Sequence, residues 1–577
     1  MLQRLSTIKR WLWLRNRQRL RRREVAKAPG YADWCAAHDS PGEQTRRALL
    51  AELDGAGAPQ PTFTLQLALE GAKLDELRAT WQSLCEQWYP HWRCLASGRA
   101  APDVERWLQQ TVRQESRLHW VAEPGAADWI ATAPWIAALT PGELWRPHAL
   151  ALMAACLRRR PDALLIYADH DSLSADGQRR DPAFKPDWNP DWLLAGDWVQ
   201  SPLLWQGEHF RLIEQGRPRG AHERLLRGTA RVPAARIRHI AHVLVHRPAD
   251  ALPRNEDPGA VEQHLRDLGE PARTTATRWG VRVTFDLPAP PPRVSIVIPT
   301  RNGVELLRAC VASLLAKTAY PDYEVIIVDN GSDDPACLRY LAEAVRDPRV
   351  RVRRDDSPFN FAALNNAALA DCTGSVLALV NNDIEVIDGA WLREMVSLAL
   401  RPGVGAVGAR LLFGDGSVQH AGVILGIGGA AGHGLRGWPG DAPGPMSRLQ
   451  QMMQVSAVTA ACLVVQRAHY LAVQGMDAQA FPVAFNDIDL CLRLGQRGLR
   501  TLYTPHATLY HHESMTRGSD RDLARRARHE RERERLVQRF GHVLQADPAY
   551  NPNLSLDNER FTLARPPRLP LHCPERE

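Results

Sequence analysis

The sequence lacks the cysteine spacings and glycine loops by which several large protein classes are recognised. Its ten cysteines are scattered and form no C-x-x-C pair, so neither a zinc site nor a disulfide framework is indicated. No G-x-G-x-x-G follows Val328 and no G-x-x-x-x-G-K-[ST] occurs, so dinucleotide binding and P-loop chemistry lose their usual phosphate-binding loop. The cysteine usage fits a reducing cytoplasm.

Long hydrophobic runs are also missing. The longest candidate, residues 455–465, has 11 residues and includes Ser456 and Thr459, whereas a membrane-spanning helix needs about 20 apolar residues. No continuous apolar core follows the N-terminal charges, so a secretory signal is not predicted. We therefore expect a cytoplasmic location.

Positive charge is concentrated at one end of the chain. Residues 1–23 contain nine Lys and Arg and no acid, which leaves 63 basic and 65 acidic residues elsewhere, so no nucleic-acid partner is expected. Leu5, Ile8 and Leu12 are interspersed with these charges, and residues 1–25 predict a basic amphipathic helix able to lie on the anionic inner face of a membrane. The alternative is a charged helix that packs on the protein or remains disordered.

Three apolar runs in the second half each end in a polar cluster. The runs are 294–298, 324–328 and 376–380, and the clusters that follow them are 300–302, 329–332 and 381–383. Such runs predict buried strands of a parallel α/β sheet, whose carboxyl ends meet at one edge. Three polar ends at one edge predict a nucleotide-sized cleft, and Asp383 beside two asparagines suits a hydrated cation that carries phosphates. Each cluster taken alone is also typical of an ordinary turn.

Five motifs occur in order over roughly residues 291–520. They are VSIVIPTRN at 294–302, IIVDNGS at 326–332, LVNND at 379–383, FNDIDLCLR at 485–493 and YHHES at 510–514. Together they resemble the family-2 glycosyltransferases with a GT-A fold. The stretches VQHAGV at 418–423 and DPAYNPNL at 547–554 resemble the subgroup linked to surface-polysaccharide and O-antigen assembly, which is rhamnosyltransferase-like and often carries two such domains in tandem.

The resemblance implies a nucleotide-sugar site at the strand ends. Asp329 would bond to the base or ribose of the donor, and Thr300 and Asn302 would line the same pocket. Asn381 and Asn382 occupy the family's D-x-D position, together with the acid that follows them. Asn381 replaces the first Asp of that pattern, so either metal binding is weaker or Asn381 contacts only sugar or water.

The resemblance also implies a divalent metal, Mn²⁺ or Mg²⁺. Asp383 would be one ligand and His511 another, with His512 as the competing candidate. Imidazole and carboxylate suit these metals in a mixed shell with diphosphate oxygens. The alternative for the two histidines is a surface pair.

Asp487 is the candidate catalytic base. An inverting transfer needs a carboxylate that takes the proton of the acceptor hydroxyl as it attacks the anomeric carbon. The sequence after Asn486 predicts a helix, so the alternative is that Asp487 caps its N-terminus, or that Asp489 does. His420 and His433, in a glycine-rich stretch, are interpreted as loop residues, with the acceptor site as the alternative.

The first half repeats the second in weakened form. WYPHW at 88–92 matches AYPDY at 319–323, and ADG at 175–177 matches GDG at 414–416. YADHD at 167–171 and DPAFKPDWNP at 181–190 also resemble tandem members of the family.

The chemistry of the second half is missing from the first. Gly98 stands where Asp329 stands, residues 140–143 fall at the D-x-D position, and residues 221–224 replace the paired acids around Asp487. We interpret Asp169, Asp171 and Asp187 as turn and surface acids, and the first half as a scaffold or acceptor-binding module.

The predicted organisation is therefore two α/β domains with helical extensions at both ends, since 577 residues exceed one hydrophobic core. The fold class is two GT-A domains in tandem, Rossmann-like with a mostly parallel sheet, the first degenerate. The segments are an amphipathic helix at 1–25, a connector at 26–58, the degenerate domain at 59–255, a linker element at 256–290, the catalytic domain at 291–520, and a helix with tail at 521–577. The last helix is expected to be solvated, and the tail from 565 loose.

The resemblance implies an inverting glycosyltransferase for hexosyl or deoxyhexosyl transfer. Its partners would be a nucleotide-sugar donor, a glycan or lipid-linked acceptor, and an anionic membrane surface through residues 1–23. The rival function is a non-catalytic scaffold that binds sugar nucleotides or glycans. A nucleotidyltransferase is a weaker rival, disfavoured by the motifs around Asp487 and His511.

Overall fold

The computed structural model describes residues 30–54, 60–122, 132–174, 176–248, 256–512 and 523–574. The amphipathic helix predicted for residues 1–25 lies outside this part of the chain. So do residues 513–514, the end of the fifth motif.

The α-helices are α1 Tyr31–His38, α2 Glu43–Asp54, α3 Leu74–Cys85, α4 Pro102–Gln114, α5 Ala149–Arg159, α6 Pro190–Leu193, α7 Gly207–Gln215, α8 Ala221–Thr229, α9 Pro258–Asp267, α10 Val304–Lys317, α11 Pro335–Ala344, α12 Phe361–Ala368, α13 Trp391–Ala399, α14 Arg467–Ala472, α15 Asn486–Gln496 and α16 Leu523–Gln545.

The strands are β1 Phe63–Ala68, β2 Trp92–Ser97, β3 Leu118–Val121, β4 Trp135–Leu139, β5 Leu144–Trp145, β6 Leu165–Leu173, β7 Arg179–Ala183, β8 Leu203–Gln206, β9 Ile237–Pro248, β10 Ala272–Thr277, β11 Gly280–Phe285, β12 Val294–Thr300, β13 Tyr323–Asp329, β14 Val350–Arg354, β15 Val376–Val380, β16 Ile384–Val386, β17 Val404–Leu412, β18 Val418–His420, β19 Val423–Leu425, β20 Ala431–His433, β21 Met453–Val455, β22 Cys462–Gln466 and β23 Arg500–His511.

Two large sheets have the same strand order. The first runs β3-β2-β1-β4-β8-β6-β9-β5 with β7 beside β6, and the second runs β14-β13-β12-β15-β22-β17-β23-β16 with β18 beside β17 and β21 beside β23. The first four strands of each sheet are parallel, and the next pair in each is antiparallel. The prediction of two GT-A-type α/β domains in tandem is confirmed, with mixed sheets that are rich in parallel pairs.

The continuous apolar runs of the second half are strands covered on both faces. Every residue of β12 and β13 is buried, as expected where helices cover a parallel sheet on both sides. The crossover helix α10 buries Leu307, Val311 and Leu314, which recur at helical spacing on one face. The predicted strand–helix–strand unit is therefore present.

The internal repeat is visible in single hydrogen bonds. Tyr89 and Tyr320, each between a helix and a strand, donate to the carbonyl oxygens of Pro61 and Pro292 at 2.7 Å in both cases. Each proline precedes the first strand of its sheet by two positions. A tyrosine therefore makes the same hydrogen bond at the equivalent position of both domains.

Buried charges join the two domains. The carboxylate of Asp191, on α6 of the first domain, is 1% exposed and accepts from Arg401 at 2.6 Å and Arg500 at 2.8 Å. Arg401 also donates to Glu270 of the linker element at 2.7 Å. Burial by itself would raise the pKa of Asp191, but the two arginines more than offset this and lower the pKa.

The chain returns to the first domain after α16. Asn551 donates from Nδ2 to Asp169 Oδ2 at 2.8 Å, and Asn553 donates from Nδ2 to the carbonyl of Ala241 at 2.9 Å. The ring of His242 lies 2.8 Å from the carbonyl oxygen of Cys573. The expectation of a loose tail from residue 565 is therefore wrong for the described residues up to 574.

The interpretation of Asp169 and Asp171 as turn or surface acids is also wrong. Both lie on β6 and are fully buried. Asp169 Oδ1 is 2.9 Å from His239 Nε2, and Asp171 accepts from Arg179 Nε at 2.6 Å. Only Asp187 is substantially exposed, at 46% of its side chain. The partners of the buried acids are distant in sequence, so local turn patterns could not reveal them.

The C-terminal helix α16 is docked rather than solvated. Glu532, Leu536, Phe540 and Leu544 are buried, which gives the helix an apolar stripe with one buried acid. The prediction of a helix here is correct, but that of a solvated helix is wrong for this face.

No helix in the described ranges combines the length and apolar character that crossing a membrane requires.

We predict that Asp191→Asn lowers the free energy of unfolding by about 3 kcal/mol or more at pH 7, because Arg401 and Arg500 would lose their buried counter-charge. Urea denaturation measures it. Since the pKa is lowered in the folded state, this stabilisation is present above about pH 4 and is lost as the pH falls through the folded-state pKa. The matched control is Asp286→Asn, whose pair with Arg273 is 44% and 74% exposed, and which should change stability by less than about 1 kcal/mol. Equal effects of the two substitutions would contradict the proposed importance of the buried cluster.

Candidate active site

The site lies where three neighbouring parallel strands end. Thr300 at the end of β12 is the register partner of Asp329 at the end of β13. On the other side of β12, Asn382 follows β15 and donates from Nδ2 to Thr300 Oγ1 at 2.9 Å. The sheet therefore brings the three predicted polar clusters together.

Asp329 is buried at the strand end and already accepts two hydrogen bonds. Its Oδ1 accepts from the backbone N–H of Ser332 at 3.0 Å, and its Oδ2 accepts from Arg354 at 2.7 Å. Arg354 is 45% exposed in its side chain. The Asp329 carboxylate thus lies beside the guanidinium of Arg354 at the same edge of the sheet.

Asn302 braces the loop beside Asp329. Its backbone is left-handed, with φ of 54°. Its side-chain oxygen accepts from the backbone N–H groups of Asp333 and Asp334 at 3.1 and 3.0 Å, and its Nδ2 donates to the Asp333 carboxylate at 2.9 Å. These bonds fix the loop before α11, so the structure gives Asn302 a loop-positioning contact at the edge of the predicted pocket.

Asp383 and His511 lie side by side. The register of β16 and β23 places Ile384 opposite His511, and Asp383 Oδ1 is 3.1 Å from His511 Nε2. On the far side of the ring, His511 Nδ1 is 2.6 Å from Gln419 Oε1. Because that amide oxygen can only accept, Nδ1 carries a proton, which leaves Nε2 as the ring nitrogen that would bind a metal.

The donor set fits a divalent metal. Two ligands at right angles on an octahedral ion, each about 2.1 Å from it, are about 3.0 Å apart, close to the 3.1 Å between Asp383 Oδ1 and His511 Nε2. No group of three or more His, Cys, Asp or Glu able to share a metal occurs in the described part of the chain. Water and diphosphate oxygens would therefore have to complete the shell.

Asn381 and His512, the neighbours of Asp383 and His511, make different contacts. Asn381 Nδ2 lies 3.3 Å from His511 Nε2, so its amide contacts the same nitrogen. His512 Nε2 lies 3.0 Å from Glu385 Oε2. Of the two candidate histidines, the structure brings His511 to Asp383 and places His512 against Glu385.

Asp487 is linked to this pair by two consecutive backbone residues. It is the second residue of α15, and its Oδ2 accepts from the N–H of Ala460 at 3.0 Å. The carbonyl of Ala461 accepts from the N–H of Asn381 at 3.0 Å. The side chain of Asp487 is only partly buried.

Asp489 is engaged elsewhere and caps nothing. It is fully buried, and its two oxygens accept from Arg493 at 2.7 Å and from Arg539 of α16 at 2.6 Å. The residue before α15 is Phe485, which makes no side-chain cap bond. The alternative assignment of Asp489 as the N-cap is therefore wrong.

A pair of neighbouring histidines, His420 and His433, supports the loop that holds Asp487. His420 is fully buried, and its Nδ1 lies 2.8 Å from Nδ1 of His433. The N–H of Thr459, next to Ala460, donates to His420 Nε2 at 3.5 Å. Burial, together with His433 and His511, holds the pKa of His420 well below its usual range, so His420 is neutral. The interpretation of His420 as an ordinary loop residue is wrong.

Gln419 is a functional candidate that the sequence interpretation did not single out. Its neighbours Val418–His420 form β18 against β17, and this strand points Gln419 at His511. The family-like stretch at 418–423 was the only available signal, and it carried no role for the glutamine.

Comparison with known proteins decides the family of this domain. The family model described as Glycosyl transferase family 2 matches residues 295–436, which include Thr300, Asp329 and Asp383. The second half of the chain contains a family-2 glycosyltransferase domain. Several curated proteins align with a larger part of the chain.

An uncharacterized protein y4gI of Sinorhizobium fredii is 41% identical over 84% of this chain and 56% of its own length. The O-antigen biosynthesis protein RfbC of Myxococcus xanthus is 35% identical over 85% of this chain and 40% of its own. The chain thus spans about half the length of these relatives. A mannosyltransferase from Pyrobaculum calidifontis, solved with GDP-Man and Mn²⁺, is 19% identical and covers 45% of this chain and 67% of its own, with a TM-score of 0.32. That likeness adds nothing to the topology described above.

The first domain differs from the glycosyltransferase domain at equivalent positions of the sheet. Its β2 ends before Gly98, as β13 ends at Asp329, and a Cβ on Gly98 would meet the Glu70 carboxylate at 2.5 Å. Glu70 therefore fills the space that the side chain of an aspartate would need. The strand registers support the alignment of Gly98 with Asp329, and the carboxylate near this position of the first domain comes from Glu70.

A carboxylate nevertheless remains at the metal position of the first domain. Glu143 precedes β5, and the next residue, Leu144, lies opposite His246 as Ile384 lies opposite His511. Glu143 is 3% exposed and accepts from Ser201 Oγ at 3.0 Å, and Arg247 lies 3.6 Å away. The expectation that the chemistry of the second half is missing from the first is therefore corrected at the metal position. Glu143 survives there as an acid and is paired with Arg247.

We predict that Gln419→Leu in the glycosyltransferase domain weakens Mn²⁺ binding in the presence of a nucleoside diphosphate by about 10–100-fold, because His511 would lose the acceptor that orients its ring. Calorimetric titration of Mn²⁺ measures it. The control is Gln450→Leu, whose amide bonds to the carbonyls of Gly440 and Ala442 and which should leave the affinity unchanged. An unaltered Mn²⁺ affinity of a folded Gln419→Leu protein would remove Gln419 from the site.

Proposed function

We propose that the protein is an inverting glycosyltransferase that moves a hexosyl or deoxyhexosyl unit from a nucleotide-sugar to a growing cell-surface polysaccharide or a lipid-linked acceptor. One observation carries the proposal. Asp487 accepts a hydrogen bond from Ala460, and the adjacent Ala461 accepts one from Asn381, so two backbone residues join a partly exposed carboxylate to the segment that carries Asp383. The relatives named for O-antigen biosynthesis and for L-rhamnosyl transfer onto N-acetylglucosaminyl-diphospho-decaprenol support the substrate class.

The donor would bind across the ends of β12, β13 and β15. Asp329 would accept hydrogen bonds from the base or ribose, which requires it to exchange or share its bond with Arg354. Thr300 and Asn382, bonded at 2.9 Å, lie between this position and Asp383. Asn302 would keep the loop in place through its bonds to Asp333 and Asp334.

Asp487 would act as the base. Its carboxylate takes the proton of the acceptor hydroxyl, the acceptor oxygen forms a bond to the anomeric carbon, and the bond from that carbon to the nucleoside diphosphate breaks. A single displacement from the opposite face inverts the anomeric configuration. Hydrogen bonds from the N–H groups of Ala460 and Ile488, at 3.0 and 2.9 Å, orient the carboxylate.

A divalent metal, Mn²⁺ or Mg²⁺, would be held by Asp383 and His511 and would offset the charge that develops on the leaving diphosphate. Asn381 contacts His511 Nε2 with its amide. We assign Asn381 to the orientation of this imidazole and of the sugar, since an amide adds no charge to the metal site.

The rival function is a non-catalytic scaffold that binds sugar nucleotides or glycans. Two observations favour it: Asn381 stands where an acid is expected, and Asp329 is already bonded to Arg354 at 2.7 Å. The two functions differ in turnover, so the experiments below separate them.

We predict that Asp487→Asn lowers the rate of sugar transfer by about 10²–10⁴-fold, because the amide cannot accept the hydroxyl proton. The donor is chosen by a thermal-shift screen of nucleoside diphosphates with Mn²⁺, since binding raises the melting temperature. Release of nucleoside diphosphate then measures the rate. The melting temperature should change little, because the Asn oxygen can still accept from Ala460 and only the bond from the adjacent Ile488 is lost.

Asp489→Asn is the control for this substitution. It removes charge from the pairs with Arg493 and Arg539, so it should lower the melting temperature. Retained turnover by Asp487→Asn would exclude Asp487 as the base.

We further predict Mn²⁺-dependent hydrolysis of the nucleotide-sugar by the wild-type protein in the absence of acceptor, and its loss in Asp383→Asn, because the substitution removes the one charged metal ligand of the domain. Asp415→Asn, in the exposed β17–β18 turn, is the matched control and should hydrolyse the donor normally. Binding without turnover of any donor would favour the scaffold.

A further inference from the structure

A large cavity lies beside the start of α15, the helix that carries Asp487. It has a volume of about 1090 Å³, at the upper end of ordinary ligand sites. Phe485, two positions before Asp487, forms part of its wall, whereas Thr300, Asp329, Asp383 and His511 do not line it. The cavity therefore borders the start of α15 through Phe485, and neither Asp487 nor the predicted nucleotide-binding residues line it.

Apart from Gly30 and Phe485, the wall residues come from three separate parts of the chain. One is the glycine-rich turn at 427–432 with Arg436, the second is α16 with His529 and Arg533, and the third is the tail at 555–565. Two of these lie outside residues 295–436, which the family model matches. A ligand in this cavity would therefore be recognised largely by residues outside the segment that the family model matches.

The walls are rich in positive charge. The arginines that line the cavity are Arg436, Arg533, Arg560 and Arg565, and the acids are Asp557 and Glu559. Both acids are engaged in the walls: Asp557 accepts from Ser555 Oγ at 2.8 Å, and Glu559 accepts from the N–H of His433 at 3.0 Å. An anionic ligand is favoured, because opposite charge in a partly enclosed site concentrates the field.

Arg533 is the cation best placed for such a ligand. A Cβ on Gly429 would lie 3.5 Å from Arg533 Nη1, and Gly429 has a φ of 78°, so the glycine turn lets the guanidinium lie directly on the cavity wall. Its partner Glu530, at 2.9 Å, is 52% exposed and does not line the cavity. Arg533 donates to both carboxylate oxygens of Glu530, and a phosphate would replace this pair with a bidentate contact of the same kind.

The wall that carries these residues is fixed in place. The Asp547 carboxylate accepts from the N–H of Leu425 at 2.7 Å and from Ala549 N at 2.8 Å. Asn551 and Asn553 then bond to the first domain at Asp169 and Ala241. The first domain thus supports the tail that completes the cavity, although it lacks a transferase site of its own.

We propose that this cavity binds the sugar acceptor through a phosphate group attached to it, with Arg533 as a principal contact. The identification of the ligand as the acceptor rests on the proposed function, because it depends on Asp487 as the base. A phosphate could be attached to a lipid or to a glycan, and both present the same charged oxygens to Arg533.

The test is calorimetric binding to the full-length protein in EDTA, which keeps phosphate from a metal site. The probes are geranyl phosphate, glucose 1-phosphate and inorganic phosphate. We expect Arg533→Ala to weaken binding of the preferred ester about tenfold, the usual effect of a lost charge-assisted hydrogen bond. Tighter binding of geranyl phosphate would identify a lipid-borne phosphate, and tighter binding of glucose 1-phosphate a glycan-borne one.

Arg531→Ala is the matched control, since Arg531 is exposed on the same helix and does not line the cavity. It should bind as the wild type does, and Arg533→Lys should keep part of the affinity because the charge remains. The proposal is overturned if the wild type binds neither ester, or if Arg533→Ala binds as tightly as Arg531→Ala. The readout needs no turnover, so an absence of sugar transfer would fail the proposed function without deciding this one.

Discussion

The register between β16 and β23 is the constraint on which the candidate site depends. It places Ile384 opposite His511, and only this pairing brings the imidazole to the preceding carboxylate of Asp383. Since side chains alternate along a strand, a shift by one residue would turn His511 to the other face. Gln419 on β18 then fixes the ring from the opposite side. The metal-binding geometry is thus a product of strand pairing together with the contact between Gln419 and the ring.

The same register in the first domain shows what a different neighbour does to such a site. Glu143 lies next to β5 as Asp383 lies next to β16, but Arg247 and Ser201 occupy its surroundings. Arg247 is a permanently charged side chain of the protein itself, so the carboxylate of Glu143 beside it has a structural role. Gly98 under Glu70 removes the nucleotide position as well. The first domain keeps the sheet and contributes charge pairs, among them Asp191 with Arg401 and Arg500, to the position of the second.

The sequence was sufficient for the features that are encoded locally. Continuous apolar runs predicted β12, β13 and β15, and the polar residues after them met at one edge because parallel strands end together. The sequence was insufficient wherever long-range contacts decide. Asp169 looks like a turn acid, yet its partner Asn551 is 382 positions away. Asp487 and Asp489 look alike in the motif, but Asp489 is fully buried and pairs with Arg493 and with the distant Arg539 of α16.

The same helix connects the base to the acceptor side of the molecule. Glu532 of α16 accepts from the N–H groups of Val483 and Ala484, just before α15, and Arg539 bonds to Asp489 within it. The start of α15, which carries Asp487, is therefore positioned by a segment that also lines the cavity through Arg533. Donor-side residues belong to the strand ends of the family-2 sheet and do not depend on this segment. Substitutions in α16 or the tail could then change the acceptor while the donor site stays the same, provided that the two contacts to α15 are kept.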